Sequence, residues 1–210
     1  VIWTKQVENP EAYGVVRLNS NKEIIDLVEK PLTFISDLAV IGIYYFKEIS
    51  QLKNQLEIVI ANNKMNSGEF QINDGLLAMM KNGKKFSVGK VIEWLDCGDV
   101  KKAIIANKKM LAFMQEDKGG LISKNIDTIN SKIIPPCFIA DNVIIKNSKI
   151  GPYVSIGPGS EVLDSRISNS IIQMNSKIKN ANIENSMIGN NCKYNGKGKQ
   201  INIGDFSELI

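Results

Sequence analysis

The last third of the chain carries a ladder of branched apolar residues spaced five or six positions apart. An amphipathic helix needs spacings of three and four, and a half-buried strand needs a spacing of two. Self-similarity at about six residues is typical of a β-helix. The ladder therefore predicts a β-helix over residues 131–210, with coils stacked about 4.8 Å apart. Its ten members are Ile139, Ile145, Ile150, Ile156, Val162, Ile167, Ile172, Ile178, Ile183 and Ile188.

Two short blocks within the ladder, Ile150–Val154 and Ile156–Ser160, resemble left-handed hexapeptide repeats. Branched side chains suit the stiff extended backbone, and asparagine suits corners with left-handed backbone angles. We therefore expect a left-handed parallel β-helix that acts as a scaffold or as an oligomerisation surface. Hexapeptide-repeat acyltransferases resemble this segment but generally use a histidine base, so that activity is disfavoured.

Composition excludes several function classes. The 210 residues include 26 basic and 22 acidic side chains, and a net charge of +4 is too mild to indicate a nucleic-acid partner. No apolar run approaches the roughly 20 residues of a membrane helix, so no membrane partner is expected. The three cysteines are too few and too scattered for a disulfide framework, which favours a cytoplasmic location.

The chain contains no histidine. This excludes a histidine general base, a serine triad and histidine-ligated metals. Any chemistry must use carboxylates, lysines, backbone amides and a hard metal ion.

Residues 1–118 alternate between strand and helix patterns, which predicts an α/β domain. A polar, glycine-containing linker is expected at 119–130, ahead of the β-helix. Because the chain starts inside a strand pattern at Val1, we expect a fragment of a longer protein. The predicted strands are 1–8, 13–18, 24–28, 39–46 and 86–95, and the predicted helices are 49–62, 72–81 and 100–115, the last capped by Asp99.

Five segments of the first half carry motifs. They are Val7–Val15 (a proline, then Tyr-Gly, then an apolar residue), Glu29-Lys30-Pro31, Ala39–Tyr44, Glu69–Asp74 and Trp94–Gly98. In order and spacing they resemble the sugar-1-phosphate nucleotidyltransferases, especially the thymidylyltransferases. The resemblance implies the incomplete C-terminal half of a Rossmann-like catalytic domain, which is commonly extended by a β-helix.

The resemblance also implies a reaction and its residues. The phosphate of a sugar-1-phosphate attacks the α-phosphate of a nucleoside triphosphate, dTTP or UTP, and pyrophosphate is released. By this resemblance Lys30 and Asp96 are the expected catalytic residues. Lys30 would hold the sugar phosphate, and Asp96 would bind Mg²⁺. The sugar pocket is implied to contain Tyr13, Gly14, Glu29, Lys30, Val40, Tyr44 and Trp94.

Each assignment has a plainer alternative. Glu29 and Lys30 could be a solvated pair at a strand end, and Asp96 could cap a turn near Gly98. Tyr44 and Trp94 could equally be core aromatic residues.

The sequence departs from the family in two places. The glycine-rich nucleotide loop and the first metal-binding aspartate lie N-terminal to the matched region, and Ser67 replaces an arginine that is common before Gly-Glu. We therefore expect this chain alone to lack activity, and a non-catalytic regulatory or assembly subunit stays an alternative. Exposed sheet edges and apolar faces of a half domain favour a homo-oligomer, a trimer or higher.

Overall fold

The computed structural model describes residues 1–63, 65, 68–116, 120–196 and 198–209. The chain forms two compact units, Val1–Trp94 and Leu95–Ile210. No helix within these residues is long and apolar enough to cross a membrane.

The first unit combines a five-stranded sheet with two helices in its described residues. The strands are β1 (Ile2–Gln6), β2 (Gly14–Leu18), β3 (Glu23–Glu29), β4 (Leu38–Tyr44) and β5 (Phe86–Lys90), and the helices are α1 (Ile49–Ala61) and α2 (Ile72–Lys81). The strand order is β1-β4-β2-β3-β5, and a parallel β1–β5 pair closes the sheet, whereas the other neighbours are antiparallel. The predicted α/β class is confirmed.

Helices α1 and α2 complete the core of this unit. Leu52 and Val59 of α1 lie seven residues apart on one face, and Leu76 and Met79 of α2 are also buried. A Cβ atom at Gly75 would lie 2.6 Å from Leu56 Cδ2, so the glycine permits the close approach of the two helices. This packing fixes the start of α2, which contributes a side chain to the site described below.

The second unit begins with helix α3 (Val100–Glu116). The backbone N–H of Lys102 donates to Asp99 Oδ1 at 2.9 Å, as expected for the predicted N-cap. The helix packs on the β-helix through Asn107, whose Oδ1 accepts from Ser155 Oγ at 2.6 Å. Lys108 lies over the ring of Tyr153, with Nζ 4.9 Å from the ring centroid.

These contacts bear on the predicted domain boundaries. The first domain was predicted to span residues 1–118, and this stays a prediction. The compact units divide after Trp94, and α3 contacts the β-helix. Strand β6 (Ile126–Ile129) lies inside the segment 119–130 that was expected to be a linker. Residues 117–119, where the linker was expected to begin, lie outside the described residues.

The β-helix is confirmed. Its described strands form three parallel sheets, in the orders β16-β13-β10-β7, β19-β17-β14-β11-β8 and β20-β18-β15-β12-β9-β6. The strands after β6 are β7 (Lys132–Ile133), β8 (Cys137–Ile139), β9 (Val143–Lys146), β10 (Lys149–Ile150), β11 (Val154–Ile156), β12 (Glu161–Leu163), β13 (Arg166–Ser168), β14 (Ser170–Ile172), β15 (Lys177–Lys179), β16 (Asn182–Glu184), β17 (Met187–Ile188), β18 (Lys193–Asn195), β19 (Asn202–Ile203) and β20 (Glu208–Leu209).

The ladder forms the interior of this prism, and each of its ten members is at most 2% exposed. Each sheet contributes one column of like side chains, such as Ile150, Ile167 and Ile183 in register. Full burial of such a side chain contributes about 1.5–3 kcal/mol, so the column is the main stabilising feature of this unit. Asparagines with positive φ lie at the corners, as expected, and Asn130 donates to Asn147 Oδ1 at 3.0 Å.

Candidate functional site

The β2–β3 hairpin brings four predicted site residues together. Gly14 lies opposite Glu29 in the antiparallel register. The backbone N–H of Lys30 donates to the carbonyl oxygen of Tyr13 at 3.0 Å. The backbone of Lys30 has a φ of 43°, so the chain turns sharply there. Lys30 is exposed. The two motifs therefore form one edge of a site in the first unit.

Asn73 joins this edge from the first turn of α2. Its Nδ2 donates to Glu29 Oε2 at 3.0 Å, and the residue is only 7% exposed. The bond fixes one carboxylate oxygen of Glu29 and leaves the carboxylate with further acceptor capacity. Sequence reasoning missed Asn73, although it lies inside the Glu69–Asp74 motif. Its place inside this motif was the available sequence signal.

Gly14 has no side chain where the carboxylate of Glu29 lies. A Cβ atom at this position would be 2.7 Å from Glu29 Oε2 and 3.2 Å from Asn73 Nδ2. Any larger residue would therefore displace the carboxylate. The glycine also leaves backbone accessible to a bound molecule.

Tyr44 lies within electrostatic range of Glu29. Burial raises the pKa of the Tyr44 phenol above its usual value, and the negative charge of Glu29 raises that pKa further. The ring also stacks on Phe46 with centroids 6.0 Å apart. Tyr44 is thus both a partly buried aromatic residue of the core and a neighbour of the site.

Trp94 lies beside Tyr13, with ring centroids 5.3 Å apart in an edge-to-face arrangement. Both residues are half-buried. Val40 lies on β4 opposite Thr4, where its partly buried side chain packs against the core. Trp94 thus lies next to Tyr13, at the start of the β2–β3 hairpin. Val40 instead pairs with a residue of β1.

Asp96 belongs to the second unit and has both oxygens engaged. Oδ1 accepts from the backbone N–H of Gly98 at 2.8 Å, as the turn interpretation expects. Oδ2 accepts from Lys102 Nζ at 2.6 Å, and Asp99 Oδ2 lies 3.8 Å from the same ammonium. Two carboxylates therefore surround one cation.

In the described part of the chain, no group of three or more His, Cys, Asp or Glu residues could hold a metal ion. Ser67, which replaces the family's arginine, lies outside the described residues. The hairpin residues and Asn73 therefore carry the candidate site of the first unit, and Asp96 with Asp99 forms an acidic pair in the second unit.

Comparison with known proteins gives the site a context. A family model described as nucleotidyl transferase matches residues 1–112. The chain is 29% identical over 207 residues to the glucose-1-phosphate thymidylyltransferase of Streptomyces antibioticus, covering 91% of this chain and 56% of that protein.

Two archaeal proteins are similarly related. The bifunctional protein GlmU of Methanocaldococcus jannaschii is 29% identical over 209 residues, covering 92% of this chain and 50% of that protein. The low-salt glycan biosynthesis nucleotidyltransferase Agl11 of Haloferax volcanii is 27% identical over 233 residues, covering 99% of this chain and 63% of that protein. The chain thus spans about half to three-fifths of the length of these relatives.

Proposed function

Because this chain belongs to the nucleotidyl transferase family, we propose that it supplies the sugar-phosphate side of an enzyme that makes nucleotide sugars. The substrates are a sugar-1-phosphate and a nucleoside triphosphate, dTTP or UTP, and the products are an NDP-sugar and pyrophosphate. Similarity to the glucose-1-phosphate thymidylyltransferase of Streptomyces antibioticus supports glucose-1-phosphate as the first sugar to test.

The observation that carries this proposal is the carboxylate of Glu29, held by Asn73 beside a residue without a side chain. A fixed carboxylate accepts hydrogen bonds from neighbouring sugar hydroxyls. Gly14 leaves the space in which this carboxylate lies. Tyr13 and Trp94 provide an aromatic edge against which the apolar face of a sugar can lie.

Lys30 follows Glu29 and would hold the phosphate at the anomeric carbon. A cation about 4 Å from a phosphate charge gains about 1 kcal/mol in bulk water and about 4 kcal/mol at an effective dielectric constant of 20. Because Lys30 is exposed, the smaller value applies until substrate excludes water.

In the reaction, a phosphate oxygen of the sugar-1-phosphate forms a bond to the α-phosphorus of the nucleotide. The bond from that phosphorus to the bridging oxygen of the β-phosphate breaks, and its electron pair leaves with pyrophosphate. Positioning and charge neutralisation dominate such transfers. Glu29 and Asn73 would orient the sugar, and Lys30 would place the attacking phosphate.

Asp96 and Asp99 fit the chemistry of Mg²⁺, which binds one or two carboxylates together with phosphate oxygens and water. Both carboxylates point at one cation, the ammonium of Lys102. The Lys102 side chain is 38% exposed and flexible, so it can withdraw in favour of a metal ion. A bound Mg²⁺ would neutralise charge on the phosphates.

We also propose a cytoplasmic homo-oligomer, a trimer or higher. Cys97, Cys137 and Cys192 are all free, which suits a reducing compartment. Leu32 and Ile92 are almost fully exposed in the first unit, and Phe34 is 76% exposed. Self-association would bury these large apolar side chains. Light scattering at micromolar protein tests this, and a monomer would contradict it.

A binding and turnover panel tests the function. Calorimetry of the 210-residue chain should show binding of glucose-1-phosphate, and weaker binding of glucose or inorganic phosphate alone, because both halves of the site are needed. Pyrophosphate release from dTTP or UTP by this chain alone should be absent. Equal affinities for the three ligands would contradict the sugar-phosphate site, and measurable release would contradict inactivity of this chain.

A further inference from the structure

One face of the β-helix carries a column of three cations. Lys132, Lys149 and Arg166 occupy directly opposed positions on β7, β10 and β13, and all three are exposed. Successive rungs of a parallel sheet lie about 4.8 Å apart, so the charges are close neighbours. The next residue in register, Asn182 of β16, is neutral.

The neighbouring sheet is arranged differently. Lys177 Nζ lies 2.8 Å from Glu161 Oε1 across one rung, and Lys193 Nζ lies 2.7 Å from Glu208 Oε1 across another. Like charges directly opposite each other in a sheet are destabilising. On that sheet Lys177 and Lys193 also oppose each other, but each has a glutamate on its other side in register. The described cation column has no acidic residue in register. Such a column is stabilised when an anion binds to it.

The column lies in two adjoining grooves. The larger has a volume of about 780 Å³ and the smaller about 330 Å³, and Lys149 and Arg166 line both. Each groove also has one carboxylate in its lining. Asp164 in the larger accepts a hydrogen bond from Asn147 Nδ2 at 3.1 Å, and Glu184 lines the smaller. Grooves of this size suit a small molecule better than a membrane surface.

We propose that this column binds a small anion with two or more phosphate groups, such as pyrophosphate or the phosphate chain of a nucleotide. The guanidinium of Arg166 can contact a phosphate through two parallel N–H donors, and the lysines add compact charges on the rungs before it. The column belongs to the second unit, and the residues assigned to the sugar-phosphate site belong to the first. The inference therefore does not depend on the proposed function.

Calorimetric titration of inorganic pyrophosphate, without added metal, into the full 210-residue chain tests the proposal. The background is Lys30→Gln, which removes the cation of the proposed sugar-phosphate site. Binding should persist in that variant. Adding Lys149→Gln or Arg166→Gln should weaken it about tenfold each, as expected for loss of a charged hydrogen bond. Raising the salt from 0.1 to 1 M should weaken it further.

A control in the same Lys30→Gln background removes more charge than either test variant. It carries three substitutions on the neighbouring sheet, Lys177→Gln, Lys179→Gln and Lys193→Gln. It should retain pyrophosphate affinity within about twofold, because its cations lie outside both grooves. Circular dichroism confirms that each variant is folded. Equal weakening by the control set would overturn the proposal, because it would show attraction to overall charge.

Two further ligands identify the source of the phosphates. Binding of dTTP as tight as that of pyrophosphate would indicate that the phosphate chain alone is recognised, and tighter binding would indicate a nucleotide; both support the site. Absence of pyrophosphate binding at millimolar concentration would overturn it. So would binding to phosphatidylserine vesicles without pyrophosphate binding.

Discussion

Asn73 on α2 holds the carboxylate of Glu29 on β3 through a 3.0 Å hydrogen bond that spans 44 residues of sequence. We expect Asn73→Ala to lower the free energy of unfolding by about 1 kcal/mol, because a half-buried acceptor loses its donor. Both tryptophans, Trp3 and Trp94, belong to this unit, so urea unfolding followed by tryptophan fluorescence reports on it.

The control for this prediction is Asn54→Ala, an exposed position on α1, which should change stability by less than about 0.5 kcal/mol. In a double-mutant cycle with Glu29→Ala, the two substitutions should be non-additive, since each removes the same bond. Additive effects would show that the bond is not formed in solution.

Gly14→Ala should damage binding more than stability. The new methyl group meets the end of a flexible side chain, Glu29 Oε2 at 2.7 Å, so the carboxylate can move aside while the strand remains. We expect the affinity for glucose-1-phosphate to fall about tenfold, as for loss of one charged hydrogen bond, with an unfolding midpoint near that of the wild type. Gly204→Ala, where a Cβ atom meets open space, should alter neither quantity. An unchanged affinity of Gly14→Ala for glucose-1-phosphate would show that Gly14 is not part of the binding site.

The phenol of Tyr44 gives a pH-dependent test. Its pKa is raised by burial and then by Glu29, so the folded chain keeps this proton at a pH where the unfolded chain has lost it. Ionisation of Tyr44 therefore does not change the free energy of unfolding below a pH of about 10, the pKa of an ordinary tyrosine. Above that pH it lowers the free energy of unfolding, because only the unfolded chain releases the proton. Tyr44→Phe should remove this component of the decline in stability.

Glu29→Gln provides the matched measurement for Tyr44. It should lower the pKa of the phenol, seen by absorbance near 295 nm, without returning it to the ordinary value, because burial remains. A Tyr44 pKa that is unchanged in Glu29→Gln would contradict the proximity of the two residues.

Lys102 is expected to compete with metal ions for Asp96 and Asp99. Lys102→Gln removes the ammonium 2.6 Å from Asp96 Oδ2, so Mn²⁺ used as a probe should bind at least several-fold more tightly. Electron paramagnetic resonance of free Mn²⁺ measures this directly. Lys101→Gln, an exposed neighbour on the same helix, should have a smaller effect. If both variants behave alike, the acidic pair is not a metal site.

The β-helix was predictable because its signal is local and repeated. Each of the ten ladder residues is buried, as the spacing predicts. Each repeat of five or six residues directs one branched side chain into the interior of the prism. The β2–β3 hairpin also brings Tyr13, Gly14, Glu29 and Lys30 together, because a hairpin aligns segments that are close in sequence.

Other features depend on contacts distant in sequence. The pattern of residues 100–115 predicted a helix but did not indicate that it packs against the β-helix. The hydrogen bond between Asn107 and Ser155 that joins them spans 48 residues of sequence. Asn73 was missed for the same reason, since its role appears only when α2 packs beside β3. The strand predicted for 86–95 ends at Lys90, and Ile92 beyond it is almost fully exposed.

The most direct test of the sugar-phosphate site is calorimetric titration of glucose-1-phosphate into the 210-residue chain and into its Glu29→Gln, Lys30→Gln variant. The wild-type chain should bind one equivalent. The double variant should bind at least about a hundredfold more weakly, because it loses both the charge of the hydroxyl acceptor and the phosphate cation. Equal affinity in the two proteins would contradict the assignment of this site.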